Sequence, residues 1–393
     1  MIKNVAIIEN LCERRLLEYD KLIKYFYANN IQIHSDINQA ELLLFFSCGM
    51  KEEDTKFKVQ QALESGIKTV LIGCAPAMLT FPTAKYIQLI PLQNMSTLDD
   101  IFNSQIPYNK IPDSTYSTLN RYDINTYHKA INTWDPRLFT PSCNDVYSLK
   151  ISDGCSRNCS YCAICKATGK LISVPIENII SEMEGALRKG FTHFRIQCEN
   201  LSAYGEDIYV NLGMLLDAMS SIKLSFIIDL PDLHPDGLIR YFSFVTNFVK
   251  NKNVYQIHVP IQSGSNNILK KMNRKYNVDE LIPKIISLRQ ISDKPIIGTD
   301  VIIGFPGETA HDFEMTCALL ESIHFEPLYI HGYCDKQGTL ASQMEDKVPA
   351  EIIEKRIGML QSKYPYAASY LNNYYEGSPS KHENHYGKSS VQV

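Results

Sequence analysis

Gly154-Cys155-Ser156-Arg157-Asn158-Cys159-Ser160-Tyr161-Cys162 sets three cysteines at C-x3-C-x2-C spacing directly after an apolar stretch over residues 146–152. On one loop, that spacing lets three thiolates turn toward a common centre. A 4Fe-4S cluster normally takes four cysteine ligands, so three would leave one iron open to a small chelating molecule. On spacing alone, zinc or a closed ferredoxin-like cluster stay open as readings, both drawing on Cys165 as a fourth thiol. The surroundings argue for the first reading. Strands are expected over 146–152, 192–197, 224–229, 254–260, 296–303 and 326–333, with helices between them such as 176–189, where Pro175 suits a first turn. Six β/α units in a row imply a barrel or open barrel of parallel strands with its chemistry at the carboxyl-terminal mouth. A further helical pattern runs from Ala350 to about Tyr374.

Upstream, the first hundred residues alternate in the same way. Val5-Ala6-Ile7-Ile8, Leu42-Leu43-Leu44-Phe45-Phe46, Thr69-Val70-Leu71-Ile72 and Tyr86-Ile87-Gln88-Leu89-Ile90 read as buried strands. Arg14 to Tyr27 and Glu52 to Glu64 carry apolar residues at helical spacing, which completes a small parallel α/β unit. Cys12, Cys48 and Cys74 each fall just after one of these strands, and in a parallel sheet the loops that follow the strands gather at one edge. Position alone leaves two readings: a three-thiol cluster site, or three separate buried cysteines. Residues 104–144, rich in Asn, Ser, Tyr and Pro, read as a linker in which Trp134 packs. The expected organisation is therefore an α/β domain over 1–103, the linker over 104–144, a barrel over 145–365, and over 366–393 a helix end followed by a polar, disordered tail.

A net charge of -4 supplies no global basic field, which weakly disfavours affinity built on phosphate neutralisation. The opening MIKNVAIIEN has no small-residue cleavage site, and no run reaches about 18 apolar residues, so neither a secretory signal nor a membrane span is expected. The expected location is the cytoplasm. Eleven cysteines, an odd number without an export signal, do not suggest a disulfide framework. Cys143, Cys198, Cys317 and Cys334 read as structural.

The triplet, with an aromatic before its last cysteine and on the first loop of such a barrel, resembles the radical S-adenosylmethionine (SAM) superfamily. Later segments are similar to one branch of it, the methylthiotransferases: His258-Val259-Pro260-Ile261-Gln262-Ser263-Gly264-Ser265-Asn266, Leu269-Lys270-Lys271-Met272-Asn273-Arg274, Thr299-Asp300-Val301-Ile302-Ile303-Gly304-Phe305-Pro306-Gly307-Glu308-Thr309, then Gly332-Tyr333 and Gly338-Thr339. The likeness runs from residue 1 to about 362. It implies a flavodoxin-like N-terminal domain followed by a radical SAM (β/α)6 partial barrel. It also implies two 4Fe-4S clusters, one on Cys155, Cys159 and Cys162 and an auxiliary one on Cys12, Cys48 and Cys74. Ser47-Cys48 and Gly73-Cys74 match the family well, whereas Asn10-Leu11-Cys12-Glu13 departs from its usual Gly-Cys. By the same resemblance Tyr161 flanks the SAM adenine, and Gln197, Glu199 and Asn200 lie near the methionine amino group. Gln262, Ser263, Ile302, Gly304 and Glu308 join the SAM site. Gly264, Gly304 and Gly307 are expected where a missing Cβ lets backbone approach a ligand.

The implied reaction uses two SAM molecules and a low-potential electron donor. One SAM methylates sulfur held at the auxiliary cluster; the other yields a 5′-deoxyadenosyl radical that activates a substrate C–H bond, which then receives the methylthio group. The cofactors carry the hard chemistry, and the protein supplies orientation and exclusion of water.

Family members act on tRNA adenosine or on a ribosomal-protein side chain, and normally end in a small β-barrel docking domain for which the stretch after Tyr374 is too short. The Pro and Arg that usually follow the triplet are Cys165 and Thr168 here, and the usual Ser-Arg is Ser173-Val174. Fewer arginines near the mouth mean fewer phosphate partners. These departures favour a peptide or protein substrate, such as a ribosomally made peptide (RiPP), with tRNA as the alternative. Lys270, Lys271, Arg274 and Lys275 could touch phosphate or form a solvated helix face. A non-catalytic iron–sulfur electron carrier is the rival of another class, and transfer of bare sulfur a third reading.

Overall fold

The computed structural model describes residues 2–10, 15–34, 36–49, 52–64, 66–81, 85–113, 146–291 and 295–370. Cys12, Trp134, Cys143, most of the expected linker and the tail from 371 onward lie outside the described residues.

The N-terminal sheet contains β1 (Asn4–Asn10), β2 (Gln32–His34), β3 (Leu42–Ser47), β4 (Thr69–Gly73) and β5 (Ile87–Pro91), all parallel, in the order β2-β1-β3-β4-β5. That is the flavodoxin-like order. Every residue of β3 and β4 is buried, as expected of central parallel strands covered by helices on both faces. The helix Leu16–Ala28 buries Tyr19, Leu22, Ile23 and Phe26, a 3–4 spacing that makes one apolar stripe. Tyr108 and Ile111 still pack into this core.

The second sheet begins with β6 (Tyr147–Lys150). A short antiparallel pair follows, β7 (Ser152–Asp153) with β8 (Ile172–Ser173). The sheet then continues with β9 (His193–Gln197), β10 (Ile227–Leu230), β11 (Asn253–His258), β12 (Ile296–Ile303), β13 (Leu328–Gly332) and β14 (Ala368–Tyr370). Its order, β14-β13-β12-β11-β10-β9-β6, is sequential and parallel throughout, so it forms an open barrel with one edge at each end.

Three differences from the sequence reading have physical causes. The last helix ends at Lys363 instead of near residue 374, because Pro365 disfavours helical backbone at Tyr364. The chain then adds β14 beside β13. β2 went unrecognised because three residues are too few to show a period. The expected strand over 146–152 breaks after Lys150, where the chain turns away to pair as β7.

Candidate active site

The cysteine loop hangs from the β7–β8 pair. Gly154 has a φ of +72°, and a Cβ there would stand 2.1 Å from the Lys170 carbonyl oxygen, so only glycine closes the base of the loop. Four contacts from Lys271 to Arg274, at and just after the end of the helix Asn266–Lys271, grip the loop's far side. Ser160 donates its amide to Met272 O at 3.0 Å and its hydroxyl to Lys271 O at 2.9 Å. Asn273 donates to Asn158 O at 2.6 Å, and Arg274 Nη1 donates to Tyr161 Oη at 3.3 Å. Arg157 is anchored to Glu206 at 3.0 Å and Asp236 at 3.1 Å.

The sulfurs sit in partly buried, donor-rich surroundings. Cys155 Sγ faces the Arg157 amide at 3.4 Å and Asn200 Nδ2 at 4.0 Å, and Cys159 Sγ faces Arg274 Nη1 at 3.8 Å. Burial raises the Cys155 thiol and pushes Cys162 up to about 12. Such thiols ionise only against a nearby cation, which bound iron provides. Among the described residues no three His, Cys, Asp or Glu side chains are grouped to hold one metal ion. Zinc, with thiolates about 2.3 Å from a single centre, would need that grouping. A cubane binds each cysteine on a different iron, so its thiols stand further apart. Three cysteines on one loop are a donor set that a 4Fe-4S cluster accepts, with one iron left open. Cys165 stands on the helix Ile164–Thr168, near enough to Cys162 for a charge on it to raise that thiol further.

In the first sheet, Asn10 registers with Ser47 and Ser47 with Gly73, which brings the ends of β1, β3 and β4 level. Cys48 and Cys74, both buried, follow directly, and the Cys74 amide donates to Ser47 O at 3.0 Å. The helix Ala75–Met78 then packs onto the helix that follows Cys162: Cys74, Met78, Ala163 and Ala167 form one apolar cluster. The two cysteine-bearing edges thus meet at a seam. A cleft open to solvent is lined from both domains, by Arg15 and Lys21 on one side and by Lys150, Gln197, Cys198 and Glu199 on the other.

The expected SAM contacts divide into two groups. Tyr161, Gln197, Glu199 and Asn200 lie on the cysteine loop or at the end of β9, with Glu199 paired to Arg15 at the start of the helix Leu16–Ala28. Ile302 is partly buried at the end of β12, level with His331. The others turn toward protein. Ser263 is fully buried and bonds Thr316 and the Ser265 amide. The Glu308 carboxylate accepts from the Gly304 amide at 2.8 Å and Arg356 at 2.6 Å; burial pushes it up to about 7 against both partners. Gln262 has a φ of +78° and holds β12 through its backbone. The glycines of these loops also lie close to neighbouring protein. A Cβ on Gly264 would strike the backbone of the helix Ala310–Ser322, one on Gly304 would strike Ile353, and one on Gly307 would strike Lys271. Their missing side chains admit neighbouring protein. Arg274 is likewise neither a phosphate contact nor a solvated residue, being 7% exposed. Cys198 is buried in the core, whereas Cys317 and Cys334 are partly buried.

Residues 149–320 match the family description "Radical SAM superfamily". A Methanocaldococcus jannaschii protein named "Probable threonylcarbamoyladenosine tRNA methylthiotransferase" is 29% identical, covering 88% of this chain and 78% of its own. The "Threonylcarbamoyladenosine tRNA methylthiotransferase MtaB" of Thermotoga maritima is also 29% identical, over 81% of this chain and 72% of its own. The Legionella pneumophila "tRNA-2-methylthio-N(6)-dimethylallyladenosine synthase" is 26% identical over 97% and 86%. These likenesses make the chain similar to the radical SAM methylthiotransferases over most of its length. In solved structures its fold is similar to the Kitasatospora setae radical SAM methyltransferase TsrM, with a TM-score of 0.53 and 10% identity over 87% of this chain and 74% of that one. The radical SAM enzyme OxsB gives 0.53 with 12% identity, over 94% and 59%. The superfamily match over residues 149–320 implies radical chemistry with SAM and a 4Fe-4S cluster. No helix among the described residues is long and apolar enough to cross a membrane.

The concave face of the open barrel carries an ionic layer that periodicity and spacing do not reveal. Asp300 lies 3.2 Å from His258 Nε2 and 3.2 Å from His331 Nε2. Asp229 lies 3.2 Å from His193 and 3.2 Å from Arg195. Burial alone would raise the Asp300 carboxyl, but His258 and then His331 hold it well below the carboxylate range.

Proposed function

We propose that this chain is a tRNA methylthiotransferase that places a methylthio group on a C–H carbon of an N6-modified adenosine. The preference for a peptide substrate drawn from the missing arginines gives way here, because the relatives described above are all named for tRNA adenosines. The reading has Cys155, Cys159 and Cys162 hold the radical SAM cluster, and Cys12, Cys48 and Cys74 an auxiliary 4Fe-4S cluster that presents sulfur. When bound, the clusters and SAM supply one-electron cleavage, hydrogen abstraction and the methylthio group.

The observation that supports two cooperating centres is the seam: Cys74 and Ala163, the neighbour of Cys162, share one apolar cluster. The chain's own part is to hold the two edges together through that cluster and the Arg15–Glu199 pair, and to keep water from the space between them. Anaerobically reconstituted protein, given SAM, a reductant and tRNA lacking methylthio marks, should yield methylthio-adenosine nucleosides on digestion and mass analysis. Formation of 5′-deoxyadenosine with no nucleoside product would refute the tRNA reading, and a modified peptide in the parallel arm would restore the earlier preference.

A further inference from the structure

We infer that Arg274 is a positioning residue whose guanidinium sets the electron affinity of the cluster on Cys155, Cys159 and Cys162. The inference rests on the reading of those three cysteines as cluster ligands. Arg274 is 7% exposed, and its fork reaches three oxygen or sulfur atoms: Nη1 stands 3.8 Å from Cys159 Sγ and 3.3 Å from Tyr161 Oη, and Nη2 donates to the Pro260 carbonyl. Its plane lies over Tyr276, 5.6 Å from the ring centroid. Nε is buried with no hydrogen-bond partner, and among the described residues no carboxylate pairs with this cation.

A buried arginine keeps its charge and is costly to bury without an anion. Nearby carboxylates are already engaged: Asp236 pairs with Arg157, and Glu206 does the same. The group touching Arg274 that can become strongly anionic is Cys159, once it is a metal-bound thiolate. Reduction adds one negative charge to a cluster beside a fixed positive one, in surroundings where charges interact more strongly than in water. A donor N–H on a ligand sulfur and nearby positive charge both favour the reduced state. A purely structural arginine would tie the loop to Pro260 and Tyr276 and leave the potential unmoved.

The test is an EPR-monitored redox titration of the reconstituted full chain, wild type against Arg274→Gln and Arg274→Lys. At a fixed potential the reduced-to-oxidised ratio should fall at least tenfold in Arg274→Gln, about 59 mV for one electron. Arg274→Lys, which keeps the charge, should stay closer to wild type than Arg274→Gln. Tyr161→Phe, which removes the neighbouring hydroxyl and keeps the cation, should change the ratio less than threefold. A ratio within twofold of wild type in Arg274→Gln would overturn the inference, as would equal shifts in Gln and Lys variants, or failure of both to hold iron, which would mark a structural role. A wild-type chain that binds no cluster would instead defeat the underlying reading of the cysteines.

Discussion

The two sheets are built from the same parallel β/α units, yet they treat their faces oppositely. In the N-terminal sheet β3 and β4 are buried at every position, so polar chemistry is confined to the carboxyl edge where Cys48 and Cys74 stand. In the second sheet β6, β9 and β13 alternate buried and partly buried residues, and the face they open is lined by His193, Arg195, Asp229, His258, Asp300 and His331. One sheet is a scaffold with a reactive rim; the other is a concave surface that carries charge. Two faces covered by helices demand apolar side chains throughout, whereas an open face tolerates ions that pair across strands.

The strongest way to break this contrast is to remove the cysteines from each rim in turn. Single Ala substitutions at Cys155, Cys159 or Cys162 should each lower 5′-deoxyadenosine formation by at least about a thousandfold, since ligands acting as a unit are not additive. Replacing Cys48 and Cys74 together by Ala should cut iron from about eight to about four per chain, with SAM cleavage retained and methylthio product lost. Iron retained near eight would separate the first rim from cluster binding.

Stability measurements sharpen the comparison of faces. Leu44→Ala, in the fully buried β3, should cost about 2–5 kcal/mol in denaturant unfolding. Asp300→Asn should cost less, about 1–3 kcal/mol, by removing the partly buried carboxylate charge that His258 and His331 flank. The sign with pH follows from its lowered carboxyl. That contribution is present above the unfolded value of about 3.9 and is lost as pH falls toward the folded value, so wild type and Asp300→Asn should converge in stability on acidification. Ile302→Ala, partly buried, should cost about 1 kcal/mol. Equal losses for Leu44→Ala and Ile302→Ala would mean that the two sheets do not differ as described.

Some readings needed only neighbouring residues. The apolar run Leu42 to Phe46 could be assigned because a doubly covered strand has no alternative composition, and the triplet could be singled out because its three cysteines lie on one loop. The edge strands β2 and β14 were missed because three residues carry no period, and their pairing depends on a neighbour distant in sequence. For Ser263 and Glu308 the motif names residues without their partners, and the fold supplies those partners as Thr316 and Arg356.

By itself, then, the amino-acid order determined the element types, the parallel grammar of both sheets and the identity of the thiols, because these follow from local periodicity and spacing. Tertiary structure alone decided that Arg274 is buried at 3.8 Å from Cys159, that Cys74 packs beside Ala163, and that Asp300 sits between two histidines. Those relations join residues tens to more than a hundred positions apart, and only the closing of the chain on itself sets their separation.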